Sequence, residues 1–343
     1  MLPLFVAVTG NSNDARFAVT EFSIVGRAST KLITANFESQ PTGCVVACSG
    51  KFAAVGAYKQ SSVWIYDLSN PASPTIQNTL NTTLGAGNGI GTLSLDGTNL
   101  LVGQFNGPSV VLLDINTGAV LATGTVGDFP GGITALALKG KTAIVSGLDN
   151  FDVLNYDSTH GKLTPTPYVG EINFTGNVTC DFDGSTAVVG YTDIDGLGYV
   201  YSFSIADGAV VPGTPVQYGA MTGVSSLTIS GKQVVAGSIG ELLVILISLG
   251  SPHSNGFVSV DNSDGLPGAV VKFYGNSNLA AANNNGVIFF SSRAWPNPTQ
   301  FGAATGFGLS KDGFTTVGFT EVEQFRVLPI PPWMQPVLHK IFG

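Results

Sequence analysis

Phe52-Ala-Ala-Val-Gly56 is an apolar run closed by a glycine, and the chain repeats it. Copies read Leu100-Leu-Val-Gly103, Ala143-Ile-Val-Ser-Gly147, Ala187-Val-Val-Gly190 and Val234-Val-Ala-Gly237, so the closing glycines stand 47, 44, 43 and 47 residues apart. Weaker copies occupy 4–10, 279–282 and 315–318. Within each period the apolar residues lack helical spacing and fall instead into short runs separated by turn residues.

A period near 45 residues with that interior is the signature of a propeller blade. The second period divides into four strands: 44–48, 52–58, 62–68 and 75–80, with Ser49-Gly50 and Ser69-Asn70-Pro71 as turns. The run ending in glycine is apolar on both alternating faces, which suits a strand packed between neighbouring blades. In the next run Val110 and Leu112 fall on one face and Val111, Leu113 and Ile115 on the other. Strand counting gives six complete blades between Cys44 and about Gly302. The N-terminal segment supplies strands at 4–8, 17–25 and 31–37, and the C-terminal segment adds 306–309 and 314–319. Joining these ends in one shared blade closes the ring and removes free sheet edges. The expectation is therefore an all-β, seven-bladed propeller over residues 1–328 without helix before Pro329. Eight blades is the alternative, if 314–319 and 325–328 form a blade of their own.

The stretch Ser62-Val-Trp-Ile-Tyr-Asp-Leu-Ser-Asn-Pro-Ala-Ser-Pro-Thr75 resembles the LVIVD repeat. Val110-Val-Leu-Leu-Asp-Ile-Asn-Thr-Gly-Ala-Val-Leu-Ala-Thr123 is similar to the YVTN repeat. Both belong to β-propeller families, and the resemblance covers roughly residues 3–320. It implies blade construction and carries over no catalytic residues, since such families mix binding scaffolds, surface proteins and enzymes. The Gly-His and Trp-Asp pairs of WD repeats are absent.

Charged residues are only 10% of the 343 and glycines number 45, against an average near a quarter charged. Hydrophobics at 44% suffice for a core. With 14 Lys and Arg against 22 acids, net charge −8, the chain is short of the basic residues that nucleic-acid binding or an anionic membrane surface demands. The start, Met1-Leu2-Pro3-Leu4-Phe5, has no basic n-region and reads as a strand rather than a secretory signal. The longest apolar run, Leu242 to Leu249, is far short of a membrane-spanning helix. Cys44, Cys48 and Cys180 read as small buried thiols; the first two, four apart on a strand, are too distant for a disulfide.

The chemistry-bearing inventory is thin. His160, His253 and His339 are scattered, and no zinc-type spacing occurs. Asp181-Phe-Asp-Gly184 and Asp193-Ile-Asp-Gly196 resemble fragments of calcium loops but lack the full ligand spacing, and read as turns. Behind the repeat strands stand Asn106, Asn150, Asp193, Glu241 and Asn284, either a hydrogen-bonding ring at a channel mouth or simply turn residues. Three sequons, at Asn81, Asn173 and Asn177, are what chance gives in a chain rich in Asn and Thr. No cofactor, metal or catalytic residue is expected.

Residues 329–343 leave the repeat. A Pro-rich stretch leads into a segment where Met334, Val337, Leu338, Ile341 and Phe342 share one helical face, with Trp333 beside them. These six side chains are the expected partner-binding residues, docking on another subunit, with a plug over the propeller's own face as the other reading. The composition suggests a non-enzymatic scaffold in an extracellular assembly such as a bacteriophage virion, with protein partners and a glycan or host-surface ligand besides. The alternatives are a secreted or surface-bound bacterial binding propeller, and a lactonase- or lyase-like propeller enzyme.

Overall fold

The computed structural model describes residues 2–11, 14–22, 28–34, 44–57, 60–71, 73–84, 89–127, 129, 131–167, 178–192, 195, 197–206, 209–212, 216–222, 224–238, 243–249, 254–259, 270–274, 278–283, 286–291, 299–305 and 314–322. Every regular element among them is a β-strand. In chain order they are β1 (Leu2–Asn11), β2 (Asp14–Phe22) and β3 (Ala28–Thr34); β4 (Cys44–Ser49), β5 (Phe52–Ala57), β6 (Ser62–Asp67) and β7 (Thr75–Asn81); β8 (Ile90–Asp96), β9 (Asn99–Gln104), β10 (Ser109–Asp114) and β11 (Val120–Thr125). Then come β12 (Ile133–Lys139), β13 (Thr142–Gly147), β14 (Phe151–Asp157) and β15 (Lys162–Pro167), followed by β16 (Val178–Phe182), β17 (Thr186–Thr192), β18 (Leu197–Ala206), β19 (Ala209–Pro212) and β20 (Val216–Thr222). The last are β21 (Val224–Ser230), β22 (Gln233–Ser238), β23 (Leu243–Ser248) and β24 (Ser254–Ser259), then β25 (Val270–Tyr274), β26 (Asn278–Asn283), β27 (Gly286–Ser291), β28 (Thr299–Thr305) and β29 (Phe314–Val322).

Each group folds as an antiparallel meander whose strands are called a, b, c and d from first to last. The first group is completed from the far end of the chain, because β29 pairs antiparallel with β1 in the order β29-β1-β2-β3. Strand β29 is thus the a strand of a sheet that both termini share. The strand at 314–319 therefore does not stand in a blade of its own. It runs to Val322, and β1 to β3 cover Leu2–Asn11, Asp14–Phe22 and Ala28–Thr34 where the sequence suggested 4–8, 17–25 and 31–37. The a strands touch one another in a closed cycle: β29 with β4, β4 with β8, β8 with β12, β12 with β16, β16 with β21, β21 with β25, and β25 with β29. Meanders arranged round such a cycle make a β-propeller.

Two details depart from identical four-stranded units. The sheets β8–β11 and β12–β15 fuse into one eight-stranded sheet because β11 meets β15 in parallel at Thr123 and Lys162, where Thr123 N donates to Gly161 O at 3.3 Å. The outer strand of the next sheet is split: β19 pairs with one end of β18 and β20 with the other. Pro212 stands at that break, where a missing N–H interrupts a ladder at little cost.

The core lies between the sheets. Val111, Leu113 and Ile115 pack toward β4–β7 with Val63, Ile65 and Leu100, while Val110 and Leu112 pack toward the following sheet with Val145 and Leu154. Strand β10 thus buries both faces, each large side chain adding about 1.5–3 kcal/mol. The repeated glycine has its reason here. A Cβ on Gly56 would lie 3.1 Å from the Ile90 side chain, one on Gly103 2.8 Å from Ile133, and one on Gly190 2.9 Å from Val224. The residue opening each next a strand seats on the bare backbone of the glycine before it.

Hydrogen bonds also join the a strands. Ser94 Oγ accepts from Leu138 N at 2.9 Å, Asp181 Oδ2 from Ile229 N at 3.0 Å, and Thr228 Oγ1 from Phe273 N at 3.2 Å. A strand at a sheet's inner edge leaves alternate N–H groups unpaired by its own ladder, and the preceding sheet satisfies them.

Candidate functional site

Antiparallel meanders put all b–c and d–a connections on one face of the ring. Backbone bonds knit that face: Ile90 N donates to Gln60 O, Phe105 N to Gly89 O, Val126 N to Pro108 O, and Gly147 N to Asn150 O. Gly132 packs hard on the b–c turn that holds Phe105 and Asn106. Gly132, at φ 93°, has its Cα so close to Phe105 that a Cβ would overlap that residue's carbonyl oxygen. Only glycine supplies both the backbone region and the clearance.

Of the residues expected at this face, Asn106 and Asn150 are described and do stand in b–c turns. Asn106 is exposed. Asn150 is a turn residue: its Oδ1 accepts from Phe151 N at 2.8 Å, closing the tight link from β13 to β14. Beside it the exposed Asp149 adopts φ 63°, a left-handed conformation that non-glycine residues adopt only when their surroundings impose it. Asp195, also exposed, occupies the next b–c turn. Asp193, Glu241 and Asn284 lie outside the described residues, as do His253, His339 and the tail residues Trp333, Met334, Val337, Leu338, Ile341 and Phe342.

The calcium-loop fragment at 181–184 is divided between two tasks. Asp183 Oδ1 accepts from Ser185 N, Ser185 Oγ and Thr186 N at 2.8–3.0 Å, forming an Asx turn. Asp181 is buried and bonds the next a strand, so it is a sheet-to-sheet tie rather than a turn residue. Among the described residues no group of three or more His, Cys, Asp or Glu is placed to hold a metal ion. His160 sits on the opposite face, its Nδ1 2.5 Å from Asp157 Oδ2, and that bond holds the Asp157 carboxyl below its usual range. Cys180 is buried, as expected; Cys48 is only half-buried, and desolvation pushes its thiol well above the usual range. Asn81, in the first sequon, turns its Oδ1 onto Thr83 N at 2.9 Å.

Asp152 escaped the sequence reading. It is 1% exposed at the start of β14, on the side facing β8–β11, and its Oδ2 accepts from Gly127 N at 2.7 Å. Its Oδ1 has no hydrogen-bond partner. Desolvation raises its pKa, and the Gly127 bond only partly opposes this. The ties Ser94, Asp181 and Thr228 escaped too, though a signal exists. Each is a polar residue three positions before the glycine of its own a–b turn, Gly97, Gly184 or Gly231.

No protein-family model and no curated protein matches this sequence. Solved structures do. A protein described as a candidate 6-phosphogluconolactonase from Bacteroides fragilis is similar over 93% of this chain and 98% of its own, with TM-score 0.67 and 17% identity. The structure of apo AztD from Citrobacter koseri has the same coverage with TM-score 0.61 and 10% identity. Hsv2 of Kluyveromyces lactis matches over 72% of each chain, with TM-score 0.52 and 15% identity. At such identities the likeness establishes the propeller fold. It also overturns the expectation of a virion scaffold, which rested on composition: the chain's end-to-end likeness is to a lactonase candidate and to AztD. Few charges and many glycines are what close sheet-to-sheet packing demands, and they carry no information about a virion.

Proposed function

We propose that the chain is a seven-bladed propeller of lactonase type, acting on a small sugar-acid lactone at the face of the b–c and d–a connections. The count of seven is supported by the cycle of a strands β29, β4, β8, β12, β16, β21 and β25. The observation that carries the activity is the likeness, over nearly the full length of both chains, to the candidate 6-phosphogluconolactonase. The residues suited to the work are the acids of three successive b–c connections, Asp149, then Asp193 and Asp195, then Glu241. Lactone opening needs a carboxylate to take a proton from water as the oxygen attacks the ring carbonyl, and a donor to protonate the departing ring oxygen. Purified protein mixed with five- and six-membered sugar lactones near neutral pH tests the reading by acid release above the uncatalysed rate.

A second reading, a non-catalytic binding propeller, is favoured by the amides and backbone groups at the described part of this face. Gln60, Asn106 and the turn 149–151 suit a polyhydroxylated ligand by hydrogen bonding. In either case residues 329–343 are proposed to dock on a protein partner, supported by the six large apolar side chains concentrated between Trp333 and Phe342.

A further inference from the structure

The outer strands β11 and β15 of two successive sheets touch backbone to backbone. Thr123 N reaches across the gap and donates to Gly161 O at 3.3 Å. Two glycines make the approach possible. A Cβ on Gly124 would lie 2.6 Å from Leu163 O, and one on Gly161, which stands at φ 61°, would lie 3.2 Å from Leu121 O. Among the described residues this is the one place where the outer strands of successive four-stranded meanders pair.

The same two meanders are tied further in as well. At the inner edge Ser94 Oγ accepts from Leu138 N at 2.9 Å, and Asp96 accepts from Gly140 N at 2.7 Å and from Lys139 Nζ at 2.9 Å. Between the meanders Leu101, Val110, Leu112, Val145, Leu154 and Leu163 are all buried. The seam on the other side of β8–β11 ends differently. There Asn78 Nδ2 donates to Ile115 O at 3.1 Å and Gln77 Nε2 to Asn116 Oδ1 at 3.4 Å, side-chain bonds without strand pairing. Where repeats contact their neighbours in a row, the strength of each interface decides which of them open together. The seam between β8–β11 and β12–β15 is closed at its inner edge, its core and its outer edge.

We propose that β8–β15 opens and closes as a single unit, a double sheet whose outer-edge splice, between 121–124 and 161–163, couples its two halves. Local opening proceeds in contiguous cooperative units that often coincide with one supersecondary motif. Here the unit is two meanders, because the splice removes the weak outer end at which they would otherwise part. The unit carries the b–c turns of Asn106 and Asp149, so the splice also holds the spacing of those turns on the b–c and d–a face. This coupling belongs to the fold and is independent of whether that face catalyses or only binds.

Native-state hydrogen exchange of the full chain in low urea tests the unit. The slowest ladder amides of β9 and β10 should match those of β13 and β14 in urea dependence and, within about threefold, in protection. G124A sets a methyl against the Leu163 backbone, and T123P removes the N–H that reaches Gly161 O at a strand edge, where proline is tolerated. In each variant the two groups of amides should part by about tenfold, whereas N78A, which acts on the other seam, should leave them together. If G124A does not fold, T123P decides. Groups that differ in the native protein, or that stay together in T123P, would overturn the proposal.

Discussion

Asp181 Oδ2 accepts the backbone N–H of Ile229 at 3.0 Å, so a carboxylate on one a strand completes the hydrogen bonding of the next. The distance along the chain is 48 residues, one blade period. Removing the acceptor leaves a buried N–H unsatisfied, which costs about 1–3 kcal/mol. D181A should lower the unfolding free energy by that amount in urea, and D181N, which keeps an acceptor, by less. Equal losses in the two variants would show that the charge, not the bond to Ile229, is what matters.

The same tie at Ser94 and Thr228 predicts a matched pair. S94A and T228V should each cost about 1 kcal/mol, and the double variant the sum of the two, because the residues join different pairs of sheets. Strong non-additivity in the denaturant midpoints would contradict independent ties.

Gly190 presents the opposite problem, a lack of room. G190A should destabilise by about 1–3 kcal/mol, since its methyl would stand 2.9 Å from a Val224 methyl. Trimming the obstacle in G190A/V224A should recover part of the loss relative to the sum of single costs. A fully additive pair in thermal unfolding would place the strain elsewhere.

The fold was largely legible in the sequence because one physical device recurs. Gly56, Gly103 and Gly190 each receive the first residue of the following a strand, and so a closing glycine recurs from one sheet to the next along much of the chain. The shared terminal sheet followed from the incomplete strand sets at the two ends. The polar ties were harder to see, since Ser, Asp and Thr do the same job at Ser94, Asp181 and Thr228, and only position unites them. Asp152 left no trace: its environment is made by Gly127, which is 25 residues away. The functional expectation failed for a different reason. It drew on composition, and composition here reflects how sheets pack in a ring.

Truncation after Leu328 should leave a cooperatively unfolding propeller, because the ring is closed by β29, which ends at Val322. Loss of the six apolar side chains from Trp333 to Phe342 should weaken partner or self-association, read by sedimentation. Loss of cooperative unfolding with unchanged oligomeric state would instead mark the segment as an internal plug.

Hydrolysis of sugar lactones by carboxylate variants tests the proposed activity most directly. D149N, D195N and E241Q each remove one acid from the b–c connections, while D183N removes one from a turn on the opposite face. The account predicts turnover above the blank for the native protein, a loss of about a hundredfold or more in at least one of the first three, as expected for a general base, and native rates in D183N. No turnover by the native protein on any five- or six-membered sugar lactone, or a loss in D183N equal to that in the other three, would contradict it.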